Sequence, residues 1–373
     1  MHLALVRQRY NAYGGAELFI ERAIDALASQ GVAVTVLARE WVGDPQRVVR
    51  CDPFHIGRLS RDWGFAHAVC GELARRTFDL VQSHERIACC DVFRAGDGVH
   101  AQWLQNRCAT LGIVGRLGLR LNPYHRYVLA AERRLFRSSR LRAVICNSRM
   151  VKNEIRARFG TPEAKLHVIY NGIDLEAFHP RLRDAHRAAM RERLGISQQA
   201  PVHLFVGVGF DRKGVFPLIE AFARSRQQDA HLLIVGRDKT QARAERRVSS
   251  LGIASRVHFA GAQKDVRPWY GVADSFVLPS LYDPFPNAAL EAMACGLPVI
   301  TTPQCGTAEL IEDGASGFVV DALAIEVLAE RLSRLDVRTA LEMGRRARER
   351  VEGLSLQSMS KLLITLYQSL LTP

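Results

Sequence analysis

The chain has 373 residues, a length that predicts about two domains at roughly 150 residues per domain. Hydrophobic residues make up 48% of it and charged residues 24%, as in an ordinary globular protein, which excludes long disordered stretches. The formal net charge of +13 favours an anionic partner, a class that includes nucleic acid, an anionic membrane surface and a phosphorylated substrate.

The N terminus does not have the pattern of a secretory signal, because Arg7 and Arg9 interrupt its apolar run and no small-residue cleavage site follows. No segment approaches the ~18 consecutive apolar residues needed to span a bilayer. The eight cysteines include no Cys-x-x-Cys pair and no closely spaced Cys/His pairs, so no zinc site is predicted. We expect a cytoplasmic protein whose cysteines are thiols in a reducing compartment.

Short apolar runs alternate with longer amphipathic runs along the whole chain, a pattern typical of parallel α/β sheets. The expected strands of the first half are residues 2–6, 32–37, 78–83 and 143–147. The pattern restarts near residue 201, with expected strands at 201–208, 231–236, 257–260, 275–279 and 297–301. We predict two doubly wound Rossmann-like domains facing a cleft, over residues 1–178 and 179–355, and a C-terminal helix over 356–373 that returns to the first domain.

A Gly-Gly turn, Gly14 and Gly15, lies between the first expected strand and a helix expected over residues 17–29. Glycines let backbone amides approach a phosphate, and the N terminus of the following helix favours negative charge. A plain tight turn would use the same residues, so the turn alone leaves both interpretations open.

The segment Phe205–Gly214 places two adjacent cations, Arg212 and Lys213, just past the end of an expected strand, on a turn expected to face solvent. It is not a dinucleotide fingerprint, because Arg occupies the third glycine position, and it is not a P-loop, because Val215 follows the glycine. Two cations there suit a diphosphate leaving group, since Arg grips two oxygens and Lys acts as a point charge. A solvated basic turn is the alternative.

Two carboxylates, Asp283 and Glu291, flank the start of an expected helix that begins at Pro286 and Asn287 and ends at Gly296. Asp283 lies in the preceding loop and Glu291 within the helix. Carboxylates form charge-assisted hydrogen bonds with sugar hydroxyls, so both could serve one small site. The alternative is structural, because the helix dipole favours an acid near a helix start.

In this order and spacing, the motifs resemble glycosyltransferase family 4, a retaining family with two Rossmann domains, the GT-B architecture. Two further marks are the Asn-Gly-Ile-Asp segment at 171–174 and the segment 305–318. The resemblance covers nearly the whole chain. Within the family, the chain is similar to lipopolysaccharide core glucosyltransferases, through the aromatic approach to the Gly-Gly turn at 10–15 and through Trp41.

The resemblance implies a donor-binding role for each matched residue. The amide of Gly15, next to Gly14, would bind the donor phosphate, and Arg212 and Lys213 would hold the diphosphate. Glu291 would bind the ribose hydroxyls. The donor sugar would be bound by an acid and by nearby backbone amides: Asp283, Asn287 and Ala288. Family members usually have Glu at the position of Asp283. The Asp side chain is one methylene shorter, so the resemblance leaves the identity of the donor sugar open.

The segment Val92–His100 supplies two catalytic candidates for the acceptor side of the cleft. Asp97 aligns with an active-site acid of the core glucosyltransferases, and His100 is the second candidate. An Asp beside glycines is also a common turn former, so a purely structural role remains the alternative.

The segment Arg107–Arg142 contains nine arginines and one acid, Glu132, interleaved with leucines, other aliphatic residues and tyrosines. Basic and apolar residues together are typical of a segment that lies on an anionic membrane surface. A solvated face and a patch for a phosphorylated acceptor are the alternatives.

The chain contains no Asp-x-Asp motif, so we predict a metal-independent transferase without a cofactor, in which Arg212 and Lys213 replace the metal. The expected donor is a UDP-sugar, of glucose or a related hexose. The expected acceptor is a lipopolysaccharide core or another glycolipid at the inner face of the cytoplasmic membrane. Three alternatives are a nucleotide-sugar epimerase, a dinucleotide-dependent oxidoreductase, which Arg212 argues against, and a nucleic-acid-binding protein, which only the charge favours and which we do not expect.

Overall fold

The computed structural model describes residues 1–9, 28, 31–41 and 47–372. The chain divides into two compact units. The first is Met1–Gly172 together with Leu356–Pro373, and the second is Ile173–Ser355. Each unit contains one parallel sheet with helices connecting its strands, which confirms the predicted pair of doubly wound domains. The division at Gly172 precedes the expected boundary at residue 178.

The first unit has a seven-stranded sheet in the order β3-β2-β1-β4-β5-β6-β7. Its strands are β1 (His2–Val6), β2 (Ala33–Ala38), β3 (Val48–Arg50), β4 (Leu80–Ser83), β5 (Val92–Arg94), β6 (Ala143–Cys146) and β7 (Leu166–Val168). The described helices are Gly57–Arg75, His100–Ala109, Ile113–Leu121, Pro123–Phe136, Arg149–Phe159 and Leu356–Leu371. All neighbouring strands are parallel.

The second unit has a six-stranded parallel sheet in the order β10-β9-β8-β11-β12-β13. Its strands are β8 (Val202–Val206), β9 (His231–Val235), β10 (Val257–Gly261), β11 (Ser275–Leu278), β12 (Val299–Thr301) and β13 (Gly317–Val319). Its helices are Arg181–Leu194, Phe210–Lys213, Val215–Arg224, Gln241–Ser250, Arg267–Val272, Asn287–Ala294, Ile325–Ser333 and Val337–Glu349. The expected strands of both units agree with these bounds to within two residues.

The strand order reverses beside the first strand of each sheet, between β1 and β4 and between β8 and β11. Open parallel sheets bind ligands at the carboxyl ends of the strands next to such a reversal. The connections that follow β4, β5, β8 and β11 therefore hold the side chains to examine for function.

The C-terminal helix, Leu356–Leu371, belongs to the first unit. Its buried residues Met359, Leu363 and Leu366 share one apolar cluster with β1, β2 and β4. Tyr367 is buried as well, and its hydroxyl donates to Oε1 of Gln82 on β4 at 2.6 Å. The last helix of the chain therefore completes one face of the first sheet.

Cys70 and Cys89 form a disulfide, so the expectation that all cysteines are thiols is wrong for this pair. The two residues are 19 positions apart, and folding brings a helix residue next to a loop residue, which no sequence spacing could reveal.

Among the described residues, no helix is long and apolar enough to cross a membrane.

Candidate functional site

The turn after β8 holds the two predicted cations in a fixed place. Gly209 and Gly214 have φ angles of +81° and +76°, a region that favours glycine, and they flank the short helix Phe210–Lys213. A Cβ atom on Gly214 would lie 1.9 Å from the carbonyl oxygen of Pro279, just after β11, so only glycine permits this approach. Arg212 Nη1 also donates to the carbonyl of Tyr282 at 2.9 Å.

Both cations converge on the first predicted acid. Oδ2 of Asp283 lies 3.4 Å from Arg212 Nη1 and 3.3 Å from Lys213 Nζ. The side chains are 35% exposed for Arg212, 12% for Lys213 and 9% for Asp283. The expected solvent-facing turn is therefore wrong for Lys213, whose stem packs over Gly207 because the turn folds back onto the end of β8.

The segment that carries Asp283 is fixed by its backbone. The Asp283 amide donates to Gln304 at 3.0 Å, and the Asp283 carbonyl accepts from Gly306 at 2.9 Å. These bonds join the connections after β11 and β12, which are neighbouring strands. Backbone hydrogen bonds at two strand ends therefore hold Asp283 in place, independently of its ion pairs.

Glu291 lies inside the helix Asn287–Ala294, as predicted, and Tyr270 positions it. The Tyr270 hydroxyl donates to Glu291 Oε2 at 2.7 Å and to the carbonyl of Ala288 at 3.2 Å. Burial, followed by the nearby Glu291 charge, raises the pKa of Tyr270 well above its ordinary value, so it stays a donor. No local sequence signal singled out Tyr270.

Asp238, which follows β9, is a second residue that the sequence did not indicate. Its Oδ2 accepts from the Gly209 amide at 2.9 Å and from the Phe210 amide at 3.4 Å, at the start of the cation turn. Burial pushes the pKa of Asp238 up, but hydrogen bonds from Thr240, Gly209 and Phe210 outweigh burial and hold it below its ordinary value. The rule that ligand sites lie at strand ends could have found it.

Asp97 is exposed, in the turn that follows β5 in the first unit. Its electrostatic neighbours are Glu85 and Arg86, from the connection after β4. Burial raises the pKa of Glu85, and the Asp97 charge raises it further against the effect of Arg7. The carboxyl edge of the first sheet thus gathers two acids and two cations.

His100 starts the helix His100–Ala109, and its ring is already engaged. Its Nε2 lies 3.1 Å from Nδ1 of His125, and the ring stacks on Trp103. Burial, then the positive charge of Arg86, lowers the pKa of His100 to about 3. The His100 ring is therefore neutral and held between His125 and Trp103, whereas the other catalytic candidate, Asp97, is exposed.

The basic segment Arg107–Arg142 contains the helices Ile113–Leu121 and Pro123–Phe136 and the last three residues of the helix His100–Ala109. The helix Ile113–Leu121 leaves its larger apolar side chains exposed at helical spacing: Ile113, Val114, Leu117 and Leu121. Its Arg116 and Arg120 are exposed too. Basic and apolar side chains therefore share an unburied helix, as the sequence predicted, whereas the one acid, Glu132, is buried.

Gly14 and Gly15 lie outside the described residues. Asn287 and Ala288 are half-buried and open the helix Asn287–Ala294, and their donor-binding role stays a prediction. In the described part of the chain, no group of three or more His, Cys, Asp or Glu side chains could hold a metal ion.

Comparisons with known proteins place both units in one class. The model of Glycosyltransferase Family 4 matches residues 13–177, and that of Glycosyl transferases group 1 matches residues 186–350. The chain is 27% identical over 354 residues to lipopolysaccharide glucosyltransferase WaaG of Escherichia coli K12, covering 92% of this chain and 91% of that protein. It is 26% identical to the lipopolysaccharide core biosynthesis glycosyltransferase LpsE of Rhizobium meliloti, over 86% of this chain and 85% of that protein.

Solved structures agree with the family models. The crystal structure of WaaG, described as a glycosyltransferase involved in lipopolysaccharide biosynthesis, superposes with a TM-score of 0.83 at 25% identity, covering 98% of this chain and 99% of that one. Anabaena Alr3699/HepE in complex with UDP-glucose shares the fold, with a TM-score of 0.75 at 20% identity over 99% and 100% of the two chains. The chain is therefore an enzyme of the GT-B glycosyltransferases, with a family 4 domain followed by a group 1 domain, and it is similar to the lipopolysaccharide core glucosyltransferases.

Proposed function

We propose that this enzyme transfers glucose or a related hexose from a UDP-sugar to a lipopolysaccharide core or similar glycolipid, with retention of the anomeric configuration. The names of WaaG and LpsE support the acceptor class, and the UDP-glucose complex of HepE supports the donor class. The observation that carries the proposal is the pair of cations, Arg212 and Lys213, held within 3.4 Å of one buried carboxylate.

The donor diphosphate belongs on these two cations. Arg212 and Lys213 are pre-organised, because the turn is fastened to the ends of β9 and β11, so no reorganisation is needed as leaving-group charge develops. Asp283 balances part of the charge of the two cations while no diphosphate is bound, and a net positive charge remains for the diphosphate. When the diphosphate takes over their charge, Asp283 becomes available to accept a hydrogen bond from a donor-sugar hydroxyl.

Glu291 accepts hydrogen bonds from the ribose hydroxyls in this assignment. Its Oε2 already accepts from the Tyr270 hydroxyl, which fixes the rotamer of the carboxylate before the nucleotide arrives. A carboxylate offers about four lone-pair sites, so Glu291 can accept ribose O–H groups while it keeps the Tyr270 bond. The half-buried start of the helix Asn287–Ala294 directs its backbone amides at the donor sugar and phosphate.

Transfer follows a front-face path. The bond between the anomeric carbon and the β-phosphate oxygen breaks, and the acceptor hydroxyl oxygen forms a bond to the same face of that carbon. The acceptor proton passes to the departing phosphate oxygen, so UDP leaves protonated and no enzyme–sugar bond forms. Asp97 orients the acceptor hydroxyl, and Arg212 and Lys213 stabilise the leaving diphosphate without a metal ion.

The basic segment Arg107–Arg142 brings the enzyme to its lipid-linked acceptor at the cytoplasmic face of the membrane. Exposed Ile113, Val114 and Leu117 enter the interfacial region, while the arginines attract anionic headgroups at about 1 kcal/mol each. The net charge of +13 favours binding to this anionic surface, and we propose no nucleic-acid partner.

The deciding experiment measures transfer directly. Purified enzyme is incubated with UDP-glucose, UDP-galactose or UDP-N-acetylglucosamine and with a core glycolipid truncated before its first hexose. We expect release of UDP together with a hexose-extended glycolipid whose anomeric configuration, read by NMR, matches that of the donor. A product of inverted configuration contradicts the front-face path, and UDP-sugar turnover that needs no acceptor and extends no glycolipid indicates an epimerase.

Vesicle co-sedimentation tests the membrane surface separately. We expect binding to vesicles that contain anionic lipid, weak binding to neutral ones, and release as the Debye length falls from about 10 Å at 0.1 M salt to about 3 Å at 1 M. Replacing Arg116, Arg120 and Arg126 with Ser should weaken binding without altering UDP-sugar hydrolysis. Equal binding to neutral and anionic vesicles, or binding to neither, contradicts this role and favours a patch for acceptor phosphates.

A further inference from the structure

We propose that Arg86 and Asn147 are positioning residues that clamp the turn carrying Asp97 and leave the Asp97 carboxylate free to orient the acceptor. The inference rests on the proposed function, because it concerns the acceptor side of that reaction. Arg86 and Asn147 come from different strand connections, and together they would hold Asp97 in place even though its turn is exposed.

The sheet brings the three residues together. β5 lies between β4 and β6, and all three strands are parallel, so their carboxyl ends lie at one edge. Arg86 follows β4, Asp97 follows β5 and Asn147 follows β6. The turn that carries Asp97 is therefore flanked on both sides by side chains from neighbouring strand ends.

Both carbonyls next to Asp97 in sequence accept hydrogen bonds from these flanking side chains. Asn147 Nδ2 donates to the carbonyl of Gly96 at 3.2 Å, and Arg86 Nη2 donates to the carbonyl of Gly98 at 3.2 Å. The Gly98 amide closes the turn by donating to Ala95 at 3.1 Å. The backbone on either side of Asp97 is thus held from outside the turn.

The Asp97 carboxylate takes no part in this bonding. A turn-forming Asp ordinarily accepts a hydrogen bond from its own backbone two residues on. Asp97 is exposed, and its side chain makes no hydrogen bond or ion pair with the described residues. A fixed backbone with an uncommitted acid is what a catalytic site requires, because a misplacement of about 1 Å can cost 10²-fold in rate.

The flanking residues are themselves firmly held. Glu132 is 2% exposed, and its Oε1 accepts from Arg86 Nε at 2.9 Å and from the His100 amide at 2.7 Å. Glu132 therefore ties Arg86 to the start of the helix that follows the turn. Asn147 is also 2% exposed, and its Oδ1 has no partner among the described residues, a rare state for a buried amide whose role is only structural.

The test compares variants of the clamp with variants of the acid. Asn147→Ala removes one hydrogen bond to the turn. Arg86→Lys keeps the charge beside Glu132 but cannot reach both Glu132 and the Gly98 carbonyl. We expect kcat for transfer to fall about ten- to a hundredfold in each, with donor KM and UDP affinity unchanged, because Arg212, Lys213 and Glu291 lie in the other unit. Added guanidinium should partly rescue Arg86→Ala.

A double variant separates positioning from general support. In an Asp97→Ala background, Asn147→Ala should cost nothing further in kcat, because the acid that it positions is gone. The matched controls are Asn153→Ala, an exposed Asn on the next helix, and Arg75→Ala, whose exposed guanidinium pairs with Glu72 at 3.3 Å. Both controls should retain wild-type kcat.

Three results would overturn the clamp. The first is a wild-type kcat in Asn147→Ala and Arg86→Lys while Asp97→Ala is impaired. The second is a full additional loss in the double variant, which would make Asn147 a structural residue. The third is an Asp97→Ala enzyme with normal transfer, which removes the acid's role while the proposed transfer reaction stands. Absence of glycolipid extension by the wild-type enzyme would instead refute the proposed function.

Discussion

Replacing Lys213 with Met removes one cation of the diphosphate site and keeps most of the side chain that packs over Gly207. Lys213 Nζ lies 3.3 Å from Asp283 Oδ2, and both side chains are largely buried. At an effective dielectric constant of about 20, this separation corresponds to a gross Coulomb energy of about 5 kcal/mol. A diphosphate at a similar distance would lose an interaction of comparable gross size.

The expected effect on catalysis follows from the role of the cation. Removing one pre-organised group that stabilises charge in the transition state typically costs about 10²–10³-fold in kcat, or about 2.7–4 kcal/mol. Removing one partner of a buried ion pair costs stability as well, on the order of 3–5 kcal/mol. Arg212 remains 3.4 Å from the same Asp283 oxygen, so we expect a stability loss below that range.

A double variant separates the two effects. In Lys213→Met/Asp283→Asn the buried carboxylate that has lost one of its two cations is gone, so the thermal midpoint should rise above that of Lys213→Met. The kcat should stay low, because the cation and the sugar-binding acid are both missing. The assay is UDP release at saturating donor and acceptor, alongside thermal unfolding followed by circular dichroism, with exposed Lys361→Met as the control. A kcat close to wild type in Lys213→Met would refute the diphosphate assignment, whatever the stability.

The other predictions concern the nucleotide, the metal and the pH. Glu291→Ala should weaken UDP binding in calorimetry, and Tyr270→Phe should weaken it less, since Glu291 keeps its charge and loses only the 2.7 Å bond that orients it. Equal UDP affinity in the wild type and both variants would contradict the ribose role. EDTA should leave transfer intact, and loss that Mg²⁺ or Mn²⁺ restores would show a metal-dependent mechanism. Burial lowers the pKa of His203 to about 4, so below about pH 6.5 the unfolded chain binds more protons than the folded one, and stability falls as the pH drops towards 4. His203→Gln should remove about 2 kcal/mol of the difference in unfolding free energy between pH 7 and pH 5, measured by denaturant unfolding. An unchanged difference would show that His203 does not cause the loss of stability.

The sequence alone predicted the architecture, because strand and helix signals are local. Buried runs such as Ser275–Leu278 are apolar over one stretch of chain, and the C-terminal helix Leu356–Leu371 ends two residues before its expected end at 373. The strands β3, β7 and β13 escaped prediction because three residues are too few to show a period, whereas the equally short β12 lies within the longer apolar run 297–301. The identity and order of the donor motifs were readable for the same reason, since each motif is a short contiguous segment.

Only the tertiary structure decided which motif residues meet and which unsuspected residues support them. Asp283 meets Lys213 across seventy positions because β8 and β11 are neighbours in a sheet whose order departs from the chain order. Folding likewise places Tyr270 against Glu291, Cys70 against Cys89, and Arg86 and Asn147 on either side of Asp97. Periodicity and motif spacing describe one segment at a time, whereas these contacts depend on how separate segments lie side by side. The fold class could therefore be predicted from the sequence, but the side-chain contacts at the carboxyl ends of the strands could not.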